Sequence, residues 1–178
     1  CDQINLMEYD QAGNWNDGAG HNSPLYKNPD VAGGDDSSCV ISWIENNGSI
    51  PASKIGLGVA LYGRIFYGIS APNETPNNNY QYRWYADIVK EDMASPGATV
   101  GWDSVAQVPH ISDPIQRHWV TYDDPRSLRL KVEFARRQGL GGIMTFGLGE
   151  GYLPDPPAGR TPHELMEAIG SAAGLKAP

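Results

Sequence analysis

Five side chains with chemical potential stand at the ends of three short apolar runs. Tyr9 and Asp10 follow Ile4-Asn5-Leu6-Met7-Glu8, Tyr62 and Arg64 close Ile55-Gly56-Leu57-Gly58-Val59-Ala60-Leu61, and Phe146 closes Gly141-Gly142-Ile143-Met144-Thr145. Two phenols can donate hydrogen bonds, a guanidinium can pair with a carboxylate, and an aromatic ring offers an apolar face. Taken singly each has a plainer reading. Tyr9 and Tyr62 fit ordinary half-buried strand aromatics, Asp10 fits a turn cap, and Arg64 serves equally as a structural partner for Asp10 or as a ligand contact.

The elements that must position these groups are strands. Each run is strand-like, and helical patterns separate them, so the order reads as βα units around a parallel sheet. In a βα barrel the C-terminal strand ends gather the chemistry, and these five residues sit at such ends. The expectation is that strands near residues 3–9, 55–62 and 141–146 lie parallel and bring the five together.

The same residues carry a family resemblance. Met7-Glu8-Tyr9-Asp10 resembles the M-x-Y-D motif of glycoside hydrolase family 18, the chitinases and their relatives. Gly20-His21-Asn22-Ser23-Pro24-Leu25-Tyr26 is similar to the family's loop after its sixth barrel strand, and Leu57 to Arg64 to its seventh strand. Trp102-Asp103-Ser104-Val105-Ala106-Gln107-Val108-Pro109 resembles part of the small inserted domain. Val120 to Pro125 and Gly139 to Met144 resemble the start of helix seven and strand eight. The resemblance implies an α/β fold: the C-terminal part of a (β/α)8 TIM barrel, about strands six to eight, with an inserted small α+β domain. The implied boundaries are 1–65 for unit six and the start of seven, 66–120 for the insertion, and 121–178 for the rest of the barrel.

It also implies an activity, hydrolysis of chitin or related N-acetylglucosamine polymers. In this family the substrate's own acetamido oxygen attacks the anomeric carbon while an enzyme Glu protonates the leaving oxygen, an exception to the two-carboxylate scheme. Tyr9 would be the catalytic residue that donates to the acetamido carbonyl. Met7, Asp10, Trp15, Tyr62, Arg64 and Phe146 would bind substrate, with Trp15 stacking on a sugar at the leaving-group side. The acid motif D-x-x-D-x-D-x-E occurs nowhere in the 178 residues. The chain therefore reads as an enzyme portion inactive alone, in need of an N-terminal barrel portion, or as a lectin-like binding protein. Phe146 stands where the family usually carries Trp, which offers a larger face and an N–H donor.

Composition bounds the remaining options. Hydrophobic residues make up 40% and charged residues 19%, the balance of a globular chain. The net charge of −8, without a basic run, argues against a nucleic-acid partner. No apolar run approaches the ~20 residues of a membrane span. Neither Cys1 nor Cys39 has metal-ligand neighbours, and strand length separates them too far for a disulfide. No metal or cofactor is implied, and the resemblance points to an extracellular setting.

Other local signals give a long loop over 11–36, a helix capped at Ser37 or Ser38 with Val40, Trp43 and Ile44 on its apolar face, and a helix opened by Asp124 and Pro125. A capping box at Thr161-Pro162-His163-Glu164 should start a last helix with Leu165, Met166 and Ile169 inward. Trp102 is assigned to the insertion core, Asp123 to a helix start, and Glu150 receives no partner. The four histidines lack ligand or triad spacing, which favours surface or packing roles.

Overall fold

A computed structural model describes residues 1–32, 50–76 and 79–175. These residues form an α/β arrangement with two sheets. The first is three-stranded and parallel, in the order β1 (Ile4–Leu6), β2 (Ile55–Ala60), β8 (Gly142–Phe146). All six residues of the central strand β2 are buried, as a strand covered on both faces requires. The second sheet is five-stranded and antiparallel. Its order is β4 (Tyr80–Trp84), β3 (Tyr62–Tyr67), β7 (His118–Thr121), β6 (Val108–Asp113), β5 (Thr99–Asp103).

The connection between the sheets is one residue long. Leu61 separates β2 from β3, and its N–H donates to the Phe146 carbonyl at 3.0 Å. The run from Ile55 to Arg64, read from sequence as one strand, is therefore two strands in different sheets. Hydrophobicity is continuous across the break because Leu61 and Ile65 both enter the main core, so apolarity alone cannot show where pairing changes partner. The first strand is also shorter than its pattern suggested. Chain from Met7 onward leaves the sheet and turns into the loop.

The helices close the core. α1 (Tyr85–Asp87) runs on as a π turn (Ile88–Asp92), α2 is Pro125–Arg137 and α3 is Glu164–Ala172. Asp124 caps α2 as expected: its carboxylate accepts from the Ser127 N–H at 2.7 Å, and Ser127 Oγ accepts from the Asp124 N–H at 3.0 Å. Leu128, Val132 and Ala135 are buried beneath it. Full burial stabilises a Leu or Val by about 1.5–3 kcal/mol. The main core joins Leu57, Val59, Ile65, Ile88, Val120, Leu128 and Leu165, and so ties both sheets to the helices.

Several sequence expectations change. The capping box at Thr161 does not form. α3 opens at Glu164 behind His163, which makes no side-chain cap, and Thr161 Oγ1 instead donates to Glu167 at 2.7 Å. Met166 is more than a third exposed, and Ala168 takes the inward place beside Leu165 and Ile169. Trp119 is the fully buried tryptophan of the antiparallel sheet; Trp102 is half-buried under the Arg126 guanidinium, 3.8 Å from its ring centroid. His21 packs against Trp119 and bonds Asp103 at 2.9 Å. Cys1 is a free, exposed thiol. Cys39, Trp43 and the helix expected around them lie outside the described residues. Among the described residues no helix is long and apolar enough to cross a membrane, and no group of three potential ligands could hold a metal.

Candidate functional site

The C-terminal ends of β1, β2 and β8 meet on one side, as the parallel pairing Ala60↔Phe146 dictates. Tyr9, Tyr62 and Phe146 form an aromatic triangle there. The centroid separations are 5.3 Å for Tyr9–Phe146, 6.2 Å for Tyr9–Tyr62 and 6.1 Å for Tyr62–Phe146. Tilted and edge-on geometries of this kind favour aromatic pairs. Tyr9 is buried except for a small part of its surface, and among the described residues no group bonds its hydroxyl. Gly58 makes room for it. A Cβ there would lie 2.2 Å from the Leu6 carbonyl oxygen and 3.1 Å from the Tyr9 ring.

Asp10 turns the chain at φ +62°, a left-handed conformation that Asp tolerates better than most residues. The turn aims its carboxylate back over the triangle. Oδ1 accepts from the Tyr62 hydroxyl at 2.5 Å and from Arg64 Nη2 at 2.5 Å. Arg64 is itself buried, and its Nε donates to Asn22 Oδ1 at 3.1 Å. The guanidinium lies 5.5 Å from the Trp15 ring centroid and 5.2 Å from that of Tyr80, within cation–π range of both. Arg64 thus bonds Asp10 and also anchors the loop through Asn22 and Trp15. Trp15 is 57% exposed; it folds over Gly13, where a Cβ would meet its ring at 2.4 Å.

Six of the seven residues singled out from sequence are joined by these contacts. Met7 is 69% exposed beyond β1 and belongs to no described aromatic contact of the group.

Three residues join the site without having been picked. Asn22 Oδ1 accepts from both Arg64 Nε and the Asp10 N–H, and its own N–H donates to Thr121 Oγ1 at 2.9 Å. Its place inside Gly20-His21-Asn22-Ser23 was the available signal. Tyr82 on β4 stacks on Tyr62 with centroids 4.1 Å apart and planes 19° from parallel. Its hydroxyl donates to Glu150, the residue left unpartnered from sequence. No local pattern points to that bond, because 68 residues separate its ends.

The phenols remain donors at neutral pH. Burial, then the hydrogen bond to Asp10 and its negative charge, push the Tyr62 hydroxyl far above the ordinary tyrosine range. Burial and Glu150 do the same to Tyr82. Burial and the Asp10 charge also raise Tyr9. The ensemble can therefore offer a neutral, directional hydroxyl from Tyr9 and an anchored carboxylate from Asp10, above an apolar floor.

Comparison with known proteins gives the family. The family model for glycosyl hydrolases family 18 matches residues 1–151. The chain belongs to that family. Among curated relatives, it is 33% identical over 147 residues to Chitinase 1 of Aphanocladium album, covering 80% of this chain and 34% of that one. It is 31% identical over 179 residues to Chitotriosidase-1 of Mus musculus, covering 94% of this chain and 38% of that protein. Among solved structures, the Ostrinia furnacalis Group IV chitinase superposes with a TM-score of 0.84 at 26% identity, covering 97% of this chain and 50% of that one. Human YKL-39, described as a pseudo-chitinase with retained chitooligosaccharide binding, gives 0.81 at 25% identity, again over 97% and 50%. The family 18 chain thus spans about a third of these curated relatives and half of these solved chains.

Proposed function

We propose that the chain is the part of a family 18 (β/α)8 barrel containing strands six to eight, with the antiparallel sheet as its inserted α+β domain. In this reading it supplies the acetamido-binding side of a site for chitin or related N-acetylglucosamine polymers. The observation that carries it is a cluster beside the C-terminal ends of the parallel strands: Phe146 closes β8, Tyr9 and Asp10 follow β1, and Tyr62 and Arg64 reach in from β3 of the neighbouring antiparallel sheet. Further support comes from β1 and β8, which are the outer strands of the three-stranded sheet and leave edges for more strands of the same barrel.

The mechanism follows from the residues. The substrate's acetamido oxygen attacks the anomeric carbon and needs a donor that holds it and tolerates the charge redistributed onto the amide. Among the described residues nothing competes for the Tyr9 hydroxyl, and it fills that role. Asp10, fixed by Tyr62 and Arg64, accepts from the amide N–H or a sugar hydroxyl as positive charge develops. Phe146 is the apolar floor. The step also requires a proton donor for the leaving oxygen, and the D-x-x-D-x-D-x-E motif that carries it in the family is absent from this sequence. General acids contribute about 10²–10⁴-fold, so the isolated chain is inactive and depends on an N-terminal barrel portion. The setting proposed is extracellular, where such polymers occur.

A second reading is a chitooligosaccharide-binding protein without hydrolysis. Phe146 in place of Trp favours it. Assay of the 178-residue chain on a fluorogenic chitobioside, alone and with a complementing N-terminal portion carrying the acid motif, separates the readings. The enzyme reading expects no turnover alone and turnover on complementation, reduced by Tyr9→Phe. Oligosaccharide binding with no turnover in either case leaves the binding protein. Turnover by the isolated chain would refute the assignment of the proton donor elsewhere.

A further inference from the structure

β4 adds a second aromatic surface beside the triangle. Tyr80, Tyr82 and Trp84 alternate along this outer strand and so share one face, opposite Phe66, Arg64 and Tyr62 in register. Trp84 is 55% exposed, Phe146 47% and Tyr82 37%. Large apolar rings left open in this way mark a surface that something flat and apolar covers. The face of a pyranose ring is such a group.

Glu150 sits at the rim of this surface. Its Oε2 accepts from the Tyr82 hydroxyl, and its backbone carbonyl accepts from the Tyr85 N–H at 3.0 Å, so two neighbours on the β4 side hold it. Its Oε1 has no partner among the described residues, and no Lys or Arg pairs with it there. A glutamine would accept the Tyr82 hydrogen bond equally well, so the latch alone does not need a charge. The stacked tyrosines Tyr62 and Tyr82 each donate to a carboxylate, Asp10 and Glu150 respectively, yet the cation bonded within this group is Arg64, which is committed to Asp10. The site is left with one uncompensated negative charge beside an open aromatic face.

We infer that Glu150, held by Tyr82, is a specificity-determining residue that selects polymer chains in which some N-acetylglucosamine units have lost their acetyl group and carry a protonated amine. A sugar ring resting on the β4 aromatic face brings its 2-substituent to the rim. An ammonium group there donates to the free Glu150 oxygen as a charge-assisted hydrogen bond, whereas an acetamido group offers the carboxylate only a neutral N–H. This inference rests on the reading of the site as one for N-acetylglucosamine polymers.

The test compares binding by calorimetry of two β-1,4-linked tetramers to the 178-residue chain in mildly acidic buffer. One tetramer is fully acetylated and the other half-deacetylated. The expected result is about fivefold tighter binding of the half-deacetylated tetramer, a ratio that falls below twofold in Glu150→Gln and shrinks on adding salt. Tyr82→Phe keeps the ring stack and frees the carboxylate, and should lower the ratio by a smaller factor. Circular dichroism melts of both variants verify the fold. Equal binding of the two tetramers, or a ratio that Glu150→Gln leaves intact, overturns the inference while the N-acetylglucosamine reading stands. Failure of both tetramers to bind overturns that reading and this inference with it.

Discussion

Two carboxylate–cation pairs in this chain, one with a lysine and one with an arginine, are used in opposite ways. Asp123 and Lys131 are both buried beneath α2. Lys131 Nζ donates to Asp123 Oδ1 and Oδ2 at 2.7 and 2.6 Å, to the Ser23 carbonyl at 2.6 Å and to Ser23 Oγ at 2.8 Å. Ser127 Oγ gives Asp123 a further donor. No solvent and no ligand can reach this pair. It fastens α2 to the start of the long loop, because Ser23 also donates to the Glu8 carbonyl at 2.6 Å. Asp10 and Arg64 are enclosed on one side only: the arginine is buried while the Asp10 side chain is 44% exposed. The carboxylate is fixed in direction yet has one oxygen left for something outside. Enclosure makes the first pair structural, and the open side makes the second available for binding.

The largest effect is expected from Lys131→Met. It strands a buried carboxylate, and the expected loss is about 3–5 kcal/mol in urea unfolding. Replacing both partners, Lys131→Met with Asp123→Leu, should recover most of it. Failure to recover would show that the pair acts through its bonds to Ser23 rather than through charge balance.

The second prediction concerns alkaline pH. Tyr62, Tyr82 and Tyr85 are held protonated in the folded state, above their ordinary value of 10.0, by burial and carboxylate acceptors. Their contribution is complete below pH 10 and is lost as the pH climbs toward their folded values. Phenolate absorbance should therefore appear together with unfolding rather than before it. Tyr62→Phe and Tyr82→Phe should flatten that alkaline loss. Early, independent ionisation of these phenols would contradict the geometry around Asp10 and Glu150.

Asp10→Asn tests the open pair. The amide keeps the shape but loses the charge, and stability should change by less than about 1 kcal/mol because the carboxylate is solvated on one side. Affinity for a chitooligosaccharide should fall about tenfold, the scale of one lost charge-assisted hydrogen bond. A large stability loss with unchanged affinity would place Asp10 with Asp123. The smallest effect is expected from Phe146→Trp, which enlarges an exposed face. Oligosaccharide binding should tighten about threefold, with a change in stability below about 1 kcal/mol.

Apolar runs between helical patterns located the three parallel strands, because such runs have few other ways to be buried. Motifs in register also gave the family and singled out Tyr9, Asp10, Tyr62, Arg64 and Phe146, although Tyr62 and Arg64 stand on an antiparallel strand rather than at a parallel strand's end. The Asp124–Pro125 helix start was legible because capping is local: its partners lie three residues apart. Long-range packing divides Ile55 to Arg64 between two sheets, since strand pairing depends on partners distant in sequence. It alone turned Asp123 from a helix-start residue into the mate of a buried lysine, and joined Glu150 to Tyr82 across 68 positions. The physical reason is common to these cases. Propensity, capping and apolar period are properties of neighbouring residues, whereas the partner of a charge or a hydroxyl is fixed only when packing brings distant segments within about 3 Å.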